Sequence, residues 1–441
     1  MTADRWWLMT SSVAPWAAPY AGAPVDATIE LPGSKSMTAR ALVIAALADG
    51  TATVRRPLRS RDTELMAAGV RALGASVEDS GAGDWVVTGT AGRPVAVAGS
   101  VDVGLAGTVA RFLPPVAALA DRDVGFTGDA RMRERPVAAL LQAMRDLGAK
   151  VTAPDDRFPF TVHGRGRLRG GAVQVDASAS SQLVSGLLLA APCFADGIDL
   201  RHVGDAVPSR PHLDMTVAMM HAAGAHAVEP EPDRWQVAPT GYVATDVDVE
   251  PDLSGASPFL AAAVATGGVV RVPSWPAEST QPGRHLLDVL GRMGASWTLD
   301  TAGLTLQGPT SIAGVDADLR DSPEMTPAVA VLAALAGSPS RLTGVAHIRG
   351  QETDRIHALA VELGRLGADV DELPDGLVVR PAPLRGAALR AYDDHRLAMA
   401  WAVLGLVVDG VTVDDVTTTA KTMPDFTNRW TAMLASRRAA Q

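Results

Sequence analysis

The sequence contains a single cysteine among 441 residues and no long uninterrupted apolar run. One cysteine excludes a disulfide within the chain. Cys193 follows Ala-Ala-Pro in an apolar stretch, so we expect a buried structural thiol rather than a nucleophile. Pro, Arg or Gly interrupts each apolar stretch before about 18 residues, which argues against a membrane span and a membrane partner.

Basic residues are also few, since 39 Lys and Arg face 49 Asp and Glu, for a formal net charge of −10. This balance makes nucleic acid an improbable partner, because the phosphate backbone requires a cationic surface. The nine histidines lack the spacing of metal ligands, and we expect neither a metal nor another cofactor. The run Trp6, Trp7 and Leu8 is too short for a signal-peptide core, so we expect a cytoplasmic protein. Nothing in the sequence requires more than a monomer.

One phrase of helix, small residue, Gly-Ala, strand, turn and strand occurs five times. Two of its copies read RALGASVEDSGAGDWVVTG and GRLGADVDELPDGLVVRP. The glycines of successive copies are 74, 76, 70 and 73 residues apart. They are Gly74, Gly148, Gly224, Gly294 and Gly367. A fixed period indicates repeated structural units, and the chain is long enough for about six of them.

Each unit extends upstream into an apolar helix, a short strand and a second helix, which gives the order α-β-α-β-β. First helices such as VARFLPPVAALA are apolar all round, and this predicts burial on every side. Second helices are apolar on one face, as at Val137, Leu140, Leu141, Met144 and Leu147, and should lie outside. The Gly after each second helix can adopt the left-handed conformation that ends a helix. The predicted fold class is α/β (α+β), with buried helices and outer sheets.

The sixth unit begins at His395 and ends without its two closing strands. The amino-terminal stretch, including VDATIEL at residues 25–31, is the obvious donor of these strands. We therefore predict a continuous domain of residues 33–250 and a discontinuous domain of residues 1–32 plus 251–441, each with three units. The two crossings between them would form a hinge. The tryptophans of the first 20 residues are expected to pack on the outside of the discontinuous domain.

Lys and Arg cluster at corresponding points of the repeat, in the loops that open the first or second helix of a unit. Helix amino termini carry free N–H groups and partial positive charge, and they bind anions. If these ends face one cleft, the cleft would bind several anionic groups. Solvated caps on separate surfaces are the alternative, but surface arginines have no reason to follow the period. The cations are Lys35, Arg40, Arg111, Arg131, Arg133, Arg135, Arg210, Arg355, Arg396 and Lys421.

Several strings resemble those of the 5-enolpyruvylshikimate-3-phosphate synthase family. They are LPGSKSMTAR at 31–40, GLAGTVARF at 104–112, GDARMRERP at 128–136, SASSQLVSGLLLAAP at 178–192, QETDRIHALAVELGRLGA at 351–368, YDDHRLAMA at 392–400 and AKTMPDF at 420–426. They cover most of the chain in the family's order. The resemblance implies the enolpyruvyl transferase fold, an inverse α/β barrel in each of two domains with the active site in the cleft between them.

The family transfers the carboxyvinyl group of phosphoenolpyruvate to the 5-hydroxyl of shikimate 3-phosphate, in the shikimate pathway, and releases phosphate through a tetrahedral intermediate. For shikimate 3-phosphate the resemblance implies Lys35, Ser36, Arg40, Ser180, Ser181, Gln182, Ser209, Glu324, His347 and Gln351. For phosphoenolpyruvate it implies Lys35, Gly107, Arg131, Gln182, Arg355, Arg396 and Lys421. Domain closure would assemble these groups and exclude water.

The reaction needs a base for the 5-hydroxyl proton and an acid for the methylene carbon of phosphoenolpyruvate. Glu324 and Glu352 are the candidates, although both carboxylates could instead stabilise helix starts. Which of the two is acid and which is base stays open. Lys35 and His395 are expected to share in proton transfer, and His395 could instead be a structural partner of Asp394.

The sequence departs from the commoner family pattern at Leu105, His212, His347 and Gln351, which stand where Asn, Tyr, Asn and Lys are frequent. The last change removes one cation, and we expect modestly weaker substrate binding that neighbouring arginines make tolerable. Gly107 and Thr108 leave room for glyphosate, the family's inhibitor, and predict sensitivity to it.

Three alternative functions compete with this interpretation. A sister transferase acting on UDP-N-acetylglucosamine shares the fold, but its usual reactive loop cysteine has no counterpart here. Gly33-Ser34-Lys35-Ser36 superficially resembles a P-loop, yet Thr28 occupies the position of its first Gly. A catalytically silent binder of shikimate 3-phosphate is the third alternative, and the joint presence of both candidate carboxylates with Lys35 and Lys421 argues against it.

Overall fold

The computed structural model describes residues 14–436, so Trp6 and Trp7 lie outside the described residues. Its α-helices are α1 (Lys35–Leu47), α2 (Arg61–Ala72), α3 (Gly107–Ala117), α4 (Ala138–Asp146), α5 (Gln182–Ala190), α6 (Arg210–Ala222), α7 (Ser257–Thr266), α8 (Gly283–Arg292), α9 (Thr326–Leu335), α10 (Arg355–Leu366), α11 (His395–Gly405) and α12 (Phe426–Ala435). Within residues 14–436, no helix has the length and apolar character needed to span a membrane.

The strands are short, and they form small separate sheets. They are β1 (Trp16–Ala17), β2 (Asp26–Thr28), β3 (Thr51–Arg55), β4 (Ser76–Asp79), β5 (Trp85–Thr88), β6 (Ser100–Asp102), β7 (Asp123–Thr127), β8 (Lys150–Thr152), β9 (Phe160–His163), β10 (Gly171–Val175), β11 (Ile198–His202), β12 (Ala227–Glu231), β13 (Arg234–Val237), β14 (Val247–Asp248), β15 (Val269–Pro273), β16 (Ser296–Asp300), β17 (Gly303–Gln307), β18 (Asp316–Asp318), β19 (Ser340–Thr343), β20 (Asp369–Leu373), β21 (Gly376–Arg380), β22 (Ala388–Leu389) and β23 (Thr412–Val413).

The chain divides into two compact units. The inserted unit comprises residues 32–252 and 278–281. The split unit comprises residues 14–31, 253–277 and 282–436 of the described chain. Each unit has a hydrophobic core of its own.

The repeat is visible in the sheets, whose strand orders are β14-β3-β5-β4, β6-β7-β9-β8, β10-β11-β13-β12, β2-β15-β17-β16, β18-β19-β21-β20 and β22-β23-β1. In each sheet the first two strands of this order are parallel and the other neighbours are antiparallel. Along the sequence, a short strand thus precedes the first helix of a repeat. The predicted order α-β-α-β-β did not include this leading strand. These leading strands have two to five residues, too few for an alternating pattern to stand out.

Burial follows the predicted periodicity. All eleven residues of α3 are buried, and so are nine of the ten residues of α9. The second helix α8 buries only one face, through residues such as Leu286, Leu287 and Leu290. First helices therefore fill the core of each unit. The five repeated glycines all have φ between 81° and 106°, which confirms that they end helices in the left-handed conformation.

The amino-terminal stretch does join the sixth sheet, because β1 pairs with β23. For residues 25–31 the predicted role was wrong, since β2 pairs in parallel with β15 and leads the fourth sheet. Apolar residues alternate at Val25, Ala27 and Ile29, which are buried in the structure, and this alternation made a strand recognisable in the sequence. The alternation of one strand does not encode its partner, because pairing depends on contacts distant along the chain.

The two crossings between the units lie side by side. Gly33 and Pro251 form an antiparallel bridge, flanked by hydrogen bonds from the Ser34 amide to the Glu250 carbonyl and from the Asp252 amide to the Pro32 carbonyl, both 2.8 Å. A Cβ at Gly33 would overlap the Arg56 carbonyl oxygen, so this close approach requires glycine. The start of α1 is thereby fixed against residues 250–252.

Cys193 is half-buried rather than fully buried, and burial raises the pKa of its thiol to about 12. The thiol is therefore protonated at neutral pH, as expected for a structural cysteine.

We predict that Gly186→Ala in α5 lowers the free energy of unfolding by about 1–3 kcal/mol, because the added methyl group would overlap the Arg111 carbonyl oxygen in α3. Urea unfolding measures this change. The matched control is Gly364→Ala in α10, where no heavy atom lies within 4 Å, and we expect a gain of about 0.5–1 kcal/mol. Shifts of the same sign in both variants would contradict the close packing of α3 and α5.

Candidate active site

In the inserted unit, the predicted residue Lys35 is the first residue of α1, whose N-cap is Ser34. Its amide donates to an Asp252 carboxylate oxygen at 3.3 Å, and its ammonium lies 3.4 Å from the Asp62 carboxylate. The Asp62 side chain is buried, with 4% exposed. Asp62 therefore anchors the ammonium and Asp252 the backbone of Lys35, and neither acid was predicted from the sequence.

Arg40 lies one turn further along α1 and is fully buried. Its guanidinium donates to the Thr216 hydroxyl at 2.7 Å, the His212 carbonyl at 2.9 Å and the Ser36 carbonyl at 3.0 Å. It also lies over the Phe112 ring. Burial lowers its pKa to about 9. Arg40 thus ties α1 to α6, in addition to the substrate role that the resemblance implies.

A second cluster joins the starts of α3 and α5. Gly107 begins α3, and a Cβ added there would lie 3.0 Å from Gln182 Oε1 and 3.1 Å from Arg135 Nη2. The Gln182 Oε1 atom and the Arg135 Nε atom are buried without a hydrogen-bond partner. Arg135 Nη1 donates to the Leu105 carbonyl at 3.3 Å. These groups form a cradle with unused hydrogen-bonding capacity, as expected of a ligand site.

Arg135, which the predicted site did not include, faces Gly107 in this cradle. Arg131 is exposed on a 3-10 turn, Ala130–Glu134, and pairs with the Glu134 carboxylate. Arg135 is half-buried and follows that turn directly. The string ARMRERP offers three alternating arginines, and only the geometry of the turn decides which of them faces Gly107.

The four predicted serines of this unit lie at helix starts, and Ser36 is the second residue of α1. Ser181 is the N-cap of α5 and is buried, and the Ser180 hydroxyl accepts from the Gln182 amide at 3.3 Å. Ser209 is the N-cap of α6 and has a left-handed backbone, with φ 56°. Strain of this kind in a non-glycine residue is concentrated at functional sites.

In the split unit, Arg355 lies at the centre of a buried ionic network. It is the first residue of α10, and 3% of its side chain is exposed. Its guanidinium lies 2.6 Å from the Asp394 carboxylate and 2.9 Å from the Glu352 carboxylate, and it also donates to Gln351 Oε1. Burial alone would lower the pKa of Arg355, but the two carboxylates outweigh it and raise the pKa above the usual value. Arg355 is therefore a permanent cation.

The Glu352 carboxylate bridges two cations. One oxygen lies 2.9 Å from Arg355 Nη2, and the other lies 2.5 Å from Lys421 Nζ, at the end of a 3-10 turn. The side chains of Glu352 and Lys421 are 8% and 12% exposed. This arrangement holds a carboxylate next to two groups that bind anions well.

Glu324 belongs to the same network through Ser254. The Ser254 hydroxyl donates to Glu324 Oε1 at 3.0 Å, while its carbonyl accepts from Arg396 Nη1 at 3.3 Å. The Arg396 amide in turn donates to the Asp394 carboxylate at 2.8 Å. One hydrogen-bonded chain thus connects both candidate carboxylates with three cations. Ser254 and Asp394, which complete it, were absent from the predicted site.

Of the two predicted histidines of the split unit, His395 is buried and His347 is half-buried. Burial lowers the pKa of His347 to about 4, an effect that nearby Glu324 opposes, and its Nε2 atom is buried without a hydrogen-bond partner. His347 is therefore neutral at pH 7. His395 begins α11, and its Nδ1 atom lies 4.0 Å from the Asp394 carboxylate. Across residues 14–436, no group of three or more His, Cys, Asp or Glu is arranged to hold a metal ion.

The chain is similar to proteins of one known family. Residues 19–430 match the family described as EPSP synthase (3-phosphoshikimate 1-carboxyvinyltransferase). A 3-phosphoshikimate 1-carboxyvinyltransferase of Mycobacterium ulcerans (strain Agy99) is 49% identical over 430 residues, which cover 96% of this chain and 99% of the relative.

Solved structures share the fold. An EPSP synthase from Acinetobacter baumannii superposes with a TM-score of 0.79 at 26% identity, covering 96% of this chain and 97% of its own. The enolpyruvyl transferase NikO from Streptomyces tendae has a TM-score of 0.74 at 19% identity, covering 95% of this chain and 97% of its own, and shows the fold alone. The family match and the close relative together establish that the chain belongs to the EPSP synthase family, the 3-phosphoshikimate 1-carboxyvinyltransferases.

Proposed function

We propose that the chain transfers the carboxyvinyl group of phosphoenolpyruvate to the 5-hydroxyl of shikimate 3-phosphate and releases phosphate. The observation that carries this function is the hydrogen-bonded chain of the split unit, in which two carboxylates are joined to three cations. The reaction needs such a combination, because both substrates are polyanions and protons must move at an oxygen and at a carbon. No cofactor enters this scheme.

The residue roles are proposals that follow the family resemblance. Shikimate 3-phosphate is bound by Lys35, Ser36, Arg40, Ser180, Ser181, Gln182, Ser209, Glu324, His347 and Gln351, and phosphoenolpyruvate by Lys35, Gly107, Arg131, Gln182, Arg355, Arg396 and Lys421. We add Arg135 to the second group because its guanidinium faces Gly107. These groups come from both units.

The contacts of the two carboxylates favour different roles for them. Glu352 touches Arg355 and Lys421, the proposed phosphoenolpyruvate ligands, so we assign it the proton exchange at the methylene carbon. The charge of Glu324 opposes the lowering of the pKa of His347, a proposed ligand of shikimate 3-phosphate, and we assign Glu324 the 5-hydroxyl proton. The carbon gains a proton as the new C–O bond forms, and it loses one as phosphate departs. A single carboxylate beside that carbon can serve both steps.

Phosphate release that requires both substrates tests the activity, and glutamine variants test the two roles. We expect Glu352→Gln to lower kcat by about 10²–10⁴-fold, the usual contribution of a general acid or base, without weakening phosphoenolpyruvate binding, because a negative charge beside Arg355 and Lys421 is removed. Glu324→Gln should lower kcat and also weaken the binding of shikimate 3-phosphate. Exposed Glu78→Gln is the control. A Glu352→Gln variant with nearly normal kcat would refute its role.

Gly107→Ala tests the cradle that Gly107 forms with Gln182 and Arg135. The added methyl group would lie 3.0–3.3 Å from the ends of these side chains and should push them by a few tenths of an ångström. Inhibition constants for glyphosate should rise more than KM for phosphoenolpyruvate. Equal losses would contradict this assignment, and Gly99→Ala, with no atom within 4 Å, should change neither constant.

The depressed pKa of His347 predicts a stability change with pH. The folded state keeps this histidine neutral down to about pH 4, whereas the unfolded chain protonates it near pH 6.5. Stability from this group is thus present above pH 6.5 and is lost as the pH falls toward 4. Between pH 7 and pH 5 the wild type should lose about 2 kcal/mol more than His347→Asn. Urea unfolding at both pH values measures this, with exposed His226→Asn as control; parallel losses in wild type and His347→Asn would exclude the effect.

A further inference from the structure

The loop before α11 has an unusual backbone. Tyr392 and Asp393 both have φ of 55°, in the left-handed region. A residue other than glycine in this region costs about 1–3 kcal/mol and persists only where its surroundings hold it. The next residue, Asp394, is the N-cap of α11 and orients Arg355. The strained pair therefore sets the position of the carboxylate that pairs with Arg355.

Glu362 supplies the contacts that hold this loop. It lies in α10, and its carboxylate is completely buried. Oε1 accepts from the Tyr392 hydroxyl at 2.6 Å, and Oε2 accepts from the Arg390 amide at 3.2 Å. A buried carboxylate needs such donors, because an unpaired charge in the interior is costly. One carboxylate thus fixes the loop at its backbone and at an aromatic side chain.

The same helix contacts the loop at a second point. Arg355 is seven residues, about two helical turns, before Glu362, so both side chains lie on one face of α10. Arg355 binds Asp394 at one end of the loop, and Glu362 binds residues 390 and 392 at the other. The strained residues lie between two anchors on one rigid helix.

Burial of Tyr392, together with its contact to the Glu362 carboxylate, raises the pKa of the phenol to about 12. The hydroxyl therefore stays protonated and donates over the whole neutral range. Arg365, whose Nε lies 3.5 Å from Glu362 Oε1, is 43% exposed and adds a weaker partner.

We infer that Glu362 is a positioning residue for the reaction: it holds Tyr392 and Asp393 in the left-handed conformation and thereby fixes Asp394, Arg355 and the start of α11. This inference rests on the proposed function, in which Arg355 and Arg396 bind phosphoenolpyruvate. Glu362 itself is buried in the protein and touches none of the proposed substrate ligands.

Two single-atom changes test the inference. Tyr392→Phe removes the hydroxyl, and Glu362→Gln keeps one acceptor but removes the charge. Each should raise KM for phosphoenolpyruvate about tenfold, on the order of one lost hydrogen bond to a charged group, while KM for shikimate 3-phosphate stays within about twofold. Tyr242→Phe is the matched control, because it removes a buried hydroxyl that donates to the Leu189 carbonyl in the inserted unit. It should lower the thermal midpoint and leave both KM values unchanged.

A strain-relief variant separates positioning from mere stabilisation. Glycine adopts φ of 55° without cost, so Asp393→Gly in the Glu362→Gln background should recover part of the lost affinity for phosphoenolpyruvate. Amide hydrogen exchange across residues 390–396 should be faster in Tyr392→Phe than in the wild type.

Equal rises of both KM values, unchanged kinetics with only a lower thermal midpoint, or no recovery by Asp393→Gly would overturn the inference. If the wild type itself released no phosphate from the two substrates, the proposed function would fail, and hydrogen exchange would still decide whether Glu362 holds the loop. Should Glu362→Gln not fold, Tyr392→Phe carries the test alone.

Discussion

The split unit is organised by the buried ion pair of Arg355 and Asp394. A guanidinium with 3% of its side chain exposed cannot remain uncompensated, and removing one partner of such a pair typically costs about 3–5 kcal/mol. Satisfying this charge brings the start of α10 to the start of α11. Glu352 then bridges Arg355 to Lys421, so the protein itself holds these two cations side by side. Preorganisation of this kind reduces the ordering cost of binding.

In the inserted unit, too, protein acceptors hold buried or half-buried cations in place. Lys35 is held by Asp62 and Asp252, and the Arg40 guanidinium is surrounded by hydroxyl and carbonyl oxygens. Arg135 differs from them, because its Nε lacks a hydrogen-bond partner beside the similarly unpartnered Gln182 oxygen. Some cations of this unit are thus fixed by protein acceptors, while the cradle at Gly107 keeps capacity for a ligand.

The features that could be predicted from the sequence are those that leave a local pattern of residues. The period of the Gly-Ala phrase, the all-round apolar helices and the left-handed glycines were readable, because each reflects chemistry within a few residues. Most of the candidate site came from the family strings, which name residues but not their contacts. The leading strands were missed because they are too short, and the pairing of residues 25–31 was wrong because register between distant strands leaves no local trace.

Other residues were missed because their environment depends on tertiary structure. In the string AVELGRL, Glu362 looks like one more acidic residue of an amphipathic helix, yet it is completely buried. Arg135 could not be told from Arg131 without the turn between them. Asp394 was considered only as a partner of His395, whereas its closest contact is with Arg355.

The side-by-side crossings have a consequence for folding. The Asp252 amide donates to the Pro32 carbonyl at 2.8 Å, so the main segment of the inserted unit, residues 32–252, begins and ends at neighbouring positions. In the split unit, the chain that leaves at residue 31 and returns at residue 253 therefore has its two ends as close together as those of a tight turn. Once the inserted unit has folded, the rest of the chain no longer bears the loop-closure entropy of a flexible segment of that length. The hydrogen-bonded crossings thus convert a very distant contact along the sequence into an effectively local one.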